Sequence, residues 1–331
     1  MAVMVTGVAG FIGAHVARAL RARGDAVIGI DNLNAYYDPA LKQARLAQFE
    51  GDAGFTFAQV DIADRTAMTD LAARHGGEIT GVVHLAAQAG VRHSLKQPFD
   101  YVHSNLIGHM VVLELCRQAM PRLQHLVYAS SSSVYGGNDK VPFSVEDRVD
   151  HPISLYAATK RADELMSEAY AHLYRIPSTG LRYFTVYGPW GRPDMAAYLF
   201  ARAILAGEPI RLFNHGRMHR DFTYIDDIVA GTLAALDRPP RDDGSTPPHR
   251  LYNLGNNRTE ELQRFVGVLE DALGIAAIKT YEDIQPGDVQ RTFADIDASK
   301  RDLGYDPRTT IDVGIPRFVD WFKSYHQSRA A

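Results

Sequence analysis

Cysteine is almost absent from this 331-residue chain. Cys116 is the only one, which excludes an internal disulfide framework and fits a reducing compartment. Long apolar runs are missing too: none approaches the roughly 18 residues of a membrane span. No basic stretch followed by an apolar one opens the chain, so no signal peptide is expected and a cytoplasmic protein is the simplest reading. A dominant charge is also lacking. Lys and Arg number 35 against 39 Asp and Glu, a net charge of -4, which gives no general reason to expect nucleic acid as a partner. An anionic ligand would therefore have to be bound by a few local arginines. Internal repeats and low-complexity segments do not occur. What remains is an ordinary globular composition, 46% hydrophobic and 22% charged, long enough for about two domains or one large core with an appended lobe.

Short apolar runs alternate with longer amphipathic ones. Residues 2–6, 26–31, 55–61, 81–86, 125–130 and 178–184 read as buried strands bounded by glycine or polar residues. Residues 11–23, 40–49, 65–75, 98–119 and 155–174 read as helices. This alternation predicts right-handed βαβ units, that is, an α/β fold with a Rossmann-type doubly wound parallel sheet. After about residue 185 the pattern changes. "GPWGRPD" (188–194) reads as a loop, 196–206 as a helix and 238–250 as a polar, proline-rich surface loop. "TEELQRFVGVLEDALG" reads as a helix with Thr259 as N-cap and Gly274 as C-cap. The expected division is a dinucleotide-binding domain over 1–185 and mainly a substrate-binding lobe over 186–331, with some late segments returning to the main sheet.

The first strand runs into "TGVAGFIGAHVARAL", which spaces Gly7, Gly10 and Gly13 as G-x-x-G-x-x-G. Glycines allow a tight turn and close backbone approach, and the N–H groups that open the next helix, around Phe11 and Ile12, suit a pyrophosphate. The same triplet also builds simple turns. The second strand ends in Asp31, placed to reach adenosine ribose hydroxyls, with Asn32 to assist. A carboxylate there repels a 2′-phosphate and so favours NAD over NADP. Asp61, followed by Ile62, ends the third strand; it reads either as a ligand for the adenine amino group or as the N-cap of the next helix. The fourth strand ends in small residues, Leu85, Ala86 and Ala87, where backbone passes close to a cofactor, and His84 beside them reads as buried structure.

The fifth strand ends in "YASSSSVYG" (128–136), followed by Tyr156 and Lys160 in "YAATK". Positions i and i+4 share a helix face, so both side chains can face one cleft. In water a phenol loses its proton only near pH 10. A neighbouring ammonium and a positive nicotinamide ring stabilise phenolate, which makes a tyrosine usable as a base near neutrality.

These segments, in this order with "HLAAQAGVR", "RYFTVYGPWGRPDM", "RDFTYIDD" and "QPGD", resemble the extended short-chain dehydrogenase/reductases and, within them, the nucleotide-sugar epimerases. The resemblance covers almost the whole chain. It implies Tyr156 as acid/base, Lys160 on the nicotinamide ribose and Ser131 bonding the reacting oxygen, with NAD as cofactor and a UDP-sugar as substrate. Similar dehydratases carry an Asp-Glu pair where this chain has Ser132 and Ser133, which disfavours elimination of water. Stretch 182–196 is similar to that of UDP-glucuronate 4-epimerases, as is "NAYYDPALKQARL" (34–46). Thr185 stands where glucose and galactose epimerases usually place asparagine. Thr185, Ser132, Ser133 and Arg192 are the candidates to bind a C6 carboxylate, and Thr185, Ser132 and Ser133 those to fix it in an orientation safe from loss of CO2. For the nucleotide, Arg220 and Arg291 are candidates for the diphosphate, Phe213 for uracil and Asp288 for the uridine ribose. Core packing and turn capping remain open for Phe213 and Asp288. Many relatives have an arginine where Gln285 stands, which leaves Arg220 as the main diphosphate ligand. Arg92 belongs near phosphates or carboxylate, or else in a surface salt bridge. The alternatives are a UDP-glucose or UDP-N-acetylhexosamine 4-epimerase, a UDP-glucuronate decarboxylase and a non-catalytic dinucleotide sensor.

His215 and His219 lie four apart in a loop-like stretch without an apparent third ligand, so no metal site is expected. Cys116 is expected to pack within helix 98–119. As in similar proteins, that helix and 155–174 would form a four-helix homodimer interface; alternatively both pack only on the sheet.

Overall fold

The computed structural model describes residues 1–285 and 287–330, the side chains of 328–330 excepted. Pro286 of the "QPGD" motif lies outside the described residues.

Six strands follow the apolar runs: β1 (Ala2–Thr6), β2 (Ala26–Asp31), β3 (Phe55–Gln59), β4 (Gly81–His84), β5 (His125–Ser131) and β6 (Ser178–Tyr183). Short strands β7 (Thr185–Tyr187), β8 (Ile210–Leu212), β9 (His219–Arg220) and β10 (Phe222–Tyr224) come next, then β11 (His249–Leu254) and β12 (Glu260–Glu261). The helices that matter for the site are α1 (Phe11–Ala22), α2 (Pro39–Leu46), α3 (Arg65–His75), α4 (Val91–Ser94), α5 (Pro98–Tyr101), α6 (Gly108–Gln118), α7 (Leu155–Tyr174), α8 (Ala196–Leu205), α9 (Ile225–Leu236) and α10 (Leu262–Leu273). β1 to β6 and β11 form one seven-stranded parallel sheet in the order β11-β6-β5-β4-β1-β2-β3. Its central strands are buried at every position but Ala2 and Ala129, as a sheet covered on both faces requires. From β1 the chain winds one way to β3, then returns to the other side for β4. The strand order therefore reverses between β1 and β4, where a crevice opens beyond the strand ends.

Some boundaries differ from the sequence expectation for identifiable reasons. The expected 98–119 helix is α5, a π-helical stretch at Val102–Ile107 and then α6. In the π stretch Asn105 turns inward. Its side chain accepts from Gln88 N at 2.8 Å and donates to Gln88 O at 3.1 Å and to Thr159 Oγ1 at 2.9 Å. Thr259 is not a helix cap. Glu260 and Glu261 first pair antiparallel with β9, so α10 starts at Leu262, and the Thr259 hydroxyl is buried without a partner. Gly274, left-handed at φ 74°, ends α10 as expected. The 40–49 helix stops at Leu46 and gives way to a 3₁₀ turn over Ala47–Phe49.

The interior holds neutral histidines. Burial pushes His15, His125 and His249 down to about 4 and His84 to about 3, and His109 also lies well below its ordinary value. An unfolded histidine titrates near 6.5. Between pH 6.5 and 4 the unfolded chain takes up protons that the folded chain refuses, so stability falls on acidification. Asp163 and Asp221, pushed up to about 6 by burial, act in the opposite sense between their unfolded value and pH 6. Five rings outweigh two carboxyls. The melting temperature is expected to drop between pH 7 and pH 5, at up to about 1.4 kcal/mol per pH unit for each unopposed ring. A flat profile over that interval would show that these rings gain protons without unfolding.

Candidate active site

One cleft of about 690 Å³ runs along the crevice at the strand ends. Its dinucleotide half starts at the β1–α1 turn. Gly7 is left-handed at φ 72°, and a Cβ there would sit 2.8 Å from Ala86 N. A Cβ on Gly13 would sit 2.1 Å from Gly7 O. The turn therefore tolerates no side chain at either position, and it brings backbone of Gly7, Gly10, Phe11, Ile12 and Gly13 to the cleft wall. α1 has no side-chain cap and no acidic residue in its first turn, which leaves its opening N–H groups for an anion. Asp31, at the end of β2, accepts from Ala9 N at 3.2 Å and Leu33 N at 2.8 Å. Lys42 lies 3.6 Å from it. Asn32 donates to Asp61 at 3.1 Å. Asp61 also accepts from Ala63 N at 2.9 Å, but it does not cap α3; Asp64 does, accepting from Ala67 N at 3.1 Å. Burial works against the Asp61 carboxylate, yet its donors outweigh burial and hold its pKa below the usual value. Ile62, Leu85, Ala86 and Ala87 complete this wall. Thr6 Oγ1 fixes Leu85 and Ala86 by accepting from their backbone N–H groups, and it also meets His84 Nδ1 at 2.7 Å, which leaves His84 as buried structure.

At the centre, Ser131 ends β5 and caps the 3₁₀ turn after it. Its hydroxyl accepts from Ser133 N and donates to Ser133 Oγ, both at 3.1 Å. Ser154 caps α7 through Ala157 N, which brings Tyr156 and Lys160 to the same cleft. The Lys160 ammonium donates to Ala129 O at 3.0 Å and to the buried Asp163 at 3.1 Å. The Tyr156 ring stands edge-on to Tyr101 at 6.0 Å.

The other half of the cleft belongs to later segments. Ser132, Ser133, Thr185 and Arg192 line its near part. At the far end the Arg92 guanidinium lies 4.3 Å from the Phe213 ring centre and donates to Asp288 at 2.7 Å. Arg220, beside them, donates to His219 O at 2.9 Å. Burial lowers its proton affinity and Asp288 opposes that shift. Phe213 and Asp288 thus face the cleft rather than the core, and the Arg92 salt bridge lies within the cleft. Arg291 does not line it. It lies exposed over Phe293 at 5.9 Å, a correction to the sequence expectation. His215 and His219 approach different carboxylates, Asp283 at 3.0 Å and Glu261 at 3.8 Å.

Sequence reasoning missed Tyr36, Lys42, Arg211 and Asp194, all lining the cleft, and the buried Asp163 and Glu164 behind it. A signal existed for the last two. They lie three and four residues after Lys160 on a helix already assigned, so at least one had to point inward with it.

A glycine cradle at the switch point of a doubly wound sheet, with serine, tyrosine and lysine around the end of a central strand, defines a short-chain dehydrogenase/reductase. Within that class, the chain belongs to the NAD dependent epimerase/dehydratase family, whose sequence profile matches residues 3–255. It is 48% identical to UDP-glucuronate 4-epimerase 3 of Arabidopsis thaliana over 98% of this chain and 77% of that one. It is 44% identical to a probable UDP-glucuronate 4-epimerase of Rhizobium meliloti over 97% of both. Among solved structures, UDP-glucuronic acid 4-epimerase from Bacillus cereus, in complex with UDP-glucuronic acid and NAD, superposes with a TM-score of 0.88. That match is 34% identical and covers 98% of this chain and 100% of that one. The cofactor is NAD. The side-chain-free glycine cradle, the uncapped α1 and Asp31 at the end of β2 fit its pyrophosphate and ribose.

Proposed function

We propose that this chain is an NAD-dependent 4-epimerase that interconverts UDP-glucuronate and UDP-galacturonate. The observation that carries this reading is the meeting, in one cleft, of Ser131, Tyr156 and Lys160 with Ser132, Ser133, Thr185 and Arg192. The first three suit removal of a proton from a hydroxyl; the last four suit a carboxylate on the neighbouring carbon.

NAD, when bound, supplies the acceptor and later the donor of one hydride. Tyr156 takes the proton of the C4 hydroxyl as that carbon becomes a ketone, and returns it to the ketone oxygen when the other face is reduced. Ser131 donates to the reacting oxygen. Lys160 holds a ribose hydroxyl and adds positive charge beside the phenolate. Between the two half-reactions the sugar ring must turn over while the nucleotide stays fixed. Phe213, Arg92, Arg220 and Asp288 suit that fixed grip by stacking on uracil, binding the diphosphate and bonding the ribose. On this reading 186–331, without β11 and α9, is the substrate lobe. Ser132 and Ser133 carry no carboxylate, so elimination has no acid–base pair. A 4-keto hexuronate is a β-keto acid prone to lose CO2. Hydroxyls of Thr185, Ser132 and Ser133 oppose this by holding the carboxylate out of line with the ketone.

Incubation of the purified protein with UDP-glucuronate and, separately, UDP-glucose tests the reading. The expected product is UDP-galacturonate without released CO2. A UDP-pentose product would reassign the enzyme as a decarboxylase, and turnover of UDP-glucose alone would reject the carboxylate reading.

A homodimer and a cytoplasmic location belong to the same proposal. Leu95, Phe99, Ile107, Leu165 and Leu173 are exposed around α4–α7, Phe99 at 83%. Such a patch suits a second copy of these helices. Phe99→Glu is expected to leave a monomer at micromolar concentration by analytical ultracentrifugation, where the wild type sediments as a dimer. An unchanged dimer would place the interface elsewhere. Cys116, the only cysteine, is buried and free, which suits a reducing cytoplasm.

A further inference from the structure

Arg192 does not face the cleft as a bare cation. Its Nε donates to Asp194 Oδ1 at 3.0 Å and its Nη2 to Asp194 Oδ2 at 2.5 Å, so one whole edge of the guanidinium is occupied. Tyr36, from the loop after β2, donates its phenol to the same Asp194 Oδ2 at 3.0 Å. All three residues line the cleft. The loop that carries Arg192 is itself fixed. The buried Arg45 donates to Trp190 O at 2.7 Å, to Gly191 O at 3.3 Å and to Ala9 O at 2.9 Å, tying this loop to the glycine-rich turn. Arg192 therefore offers a sugar carboxylate only its remaining edge, with its charge already balanced.

We propose that Asp194, held by Tyr36, is a positioning residue that weakens the grip of Arg192 on the C6 carboxylate, so that the hexuronate is recognised without being locked against the turn of its ring. This rests on the reading of Arg192 as the carboxylate ligand. The physical reason is differential binding. A free guanidinium would form a two-pronged, charge-assisted pair with the carboxylate. Binding that strengthens the ground state and must be broken before the ring turns raises the barrier by the same amount. Tyr36 sets the balance from the other side. Its donated hydrogen bond draws charge from Asp194 and leaves Arg192 less fully neutralised.

The two variants on this chain of contacts have opposite expected signs. In titration calorimetry of the NAD-loaded enzyme, Asp194→Asn is expected to tighten UDP-glucuronate by about three- to tenfold and to lower kcat by a similar factor, with UDP-glucose affinity unchanged. Tyr36→Phe, which leaves Asp194 wholly to Arg192, is expected to weaken UDP-glucuronate about two- to threefold, again without effect on UDP-glucose. Weaker UDP-glucuronate binding in both variants, or equal shifts for both sugars, would overturn the proposal as mere structural damage. If Asp194→Asn does not fold, Tyr36→Phe decides: a loss confined to UDP-glucuronate supports the proposal, and any other result rejects it. A wild type that binds UDP-glucose as tightly as UDP-glucuronate would reject the underlying assignment of Arg192 whatever the variants do.

Discussion

Tyr156→Phe is expected to lower kcat for the 4-epimerisation by about a thousandfold, with NAD content and UDP-sugar affinity nearly unchanged. The size follows from what the phenol alone supplies. Positioned proton transfer contributes about 10² to 10⁴ in rate, and no other group placed by α7 or β5 has a comparable proton acceptor. Asp163 is committed to Lys160 at 3.1 Å, and Glu164 is committed to Arg182 at 2.8 and 2.9 Å. Ser131 and Ser133 bond each other at 3.1 Å and are poor bases. The variant is a clean one because the Tyr156 phenol oxygen makes no hydrogen bond to another described side chain, so its removal strands no side-chain partner. Melting temperature should hold. The measurement is steady-state turnover of UDP-glucuronate alongside calorimetric binding of the same compound. If Tyr156→Phe keeps more than a tenth of wild-type turnover, the proton-transfer assignment fails and with it the mechanism.

Much of this arrangement was legible in the residues, because it depends on local rules. Glycine spacing fixes the β1–α1 turn, an acidic residue ends β2, and helical periodicity puts Tyr156 and Lys160 on one face of α7. Each rule acts within a few residues, so sequence carries it directly. The seventh strand was harder to place. "HRLYNL" follows a proline-rich loop and joins the sheet only by pairing in parallel with β6, a partner about seventy residues earlier. The contacts around Arg192 are equally non-local. Tyr36 meets Asp194 across 158 residues, and Arg45 meets Trp190 across 145. Periodicity is silent on such loop-to-loop packing. Arg291 shows the converse error. Its place just after "QPGD" made it a diphosphate candidate, but at Arg291 the backbone forms a parallel bridge to His219 and the side chain turns outward over Phe293.

Arg182→Met is expected to destabilise the protein by about 3–5 kcal/mol, enough to lower Tm by roughly 10 °C. Arg182 and Glu164 are each 1% exposed and pair through two hydrogen bonds at 2.8 and 2.9 Å. Glu164 also accepts from Ser130 at 2.6 Å and from Arg161 at 3.0 Å. Burial acts to raise the Glu164 pKa, but Arg182 together with Ser130 and Arg161 outweighs it and holds the carboxylate below its ordinary value. That contribution to stability is present above the unfolded pKa and is lost as pH falls through the folded one. Removing only the arginine leaves the buried Glu164 carboxylate with Arg161 and Ser130 alone, which costs more than the pair contributes net. Arg182→Met with Glu164→Leu should therefore recover part of the melting temperature, since two apolar side chains replace the buried charges while the Ser130 hydroxyl and Arg161 lose their acceptor. Activity should not recover with it. Glu164 lies one turn beyond Lys160 on α7, and its partner Ser130 immediately precedes Ser131 on β5. The ion pair between β6 and α7 thus ties the helix that carries Tyr156 and Lys160 to the sheet beside the strand that carries Ser131. A double variant that is stable yet slow, with UDP-sugar affinity retained, would separate this positioning role from stability. Full recovery of both would reduce the pair to one of several ways of filling the same space.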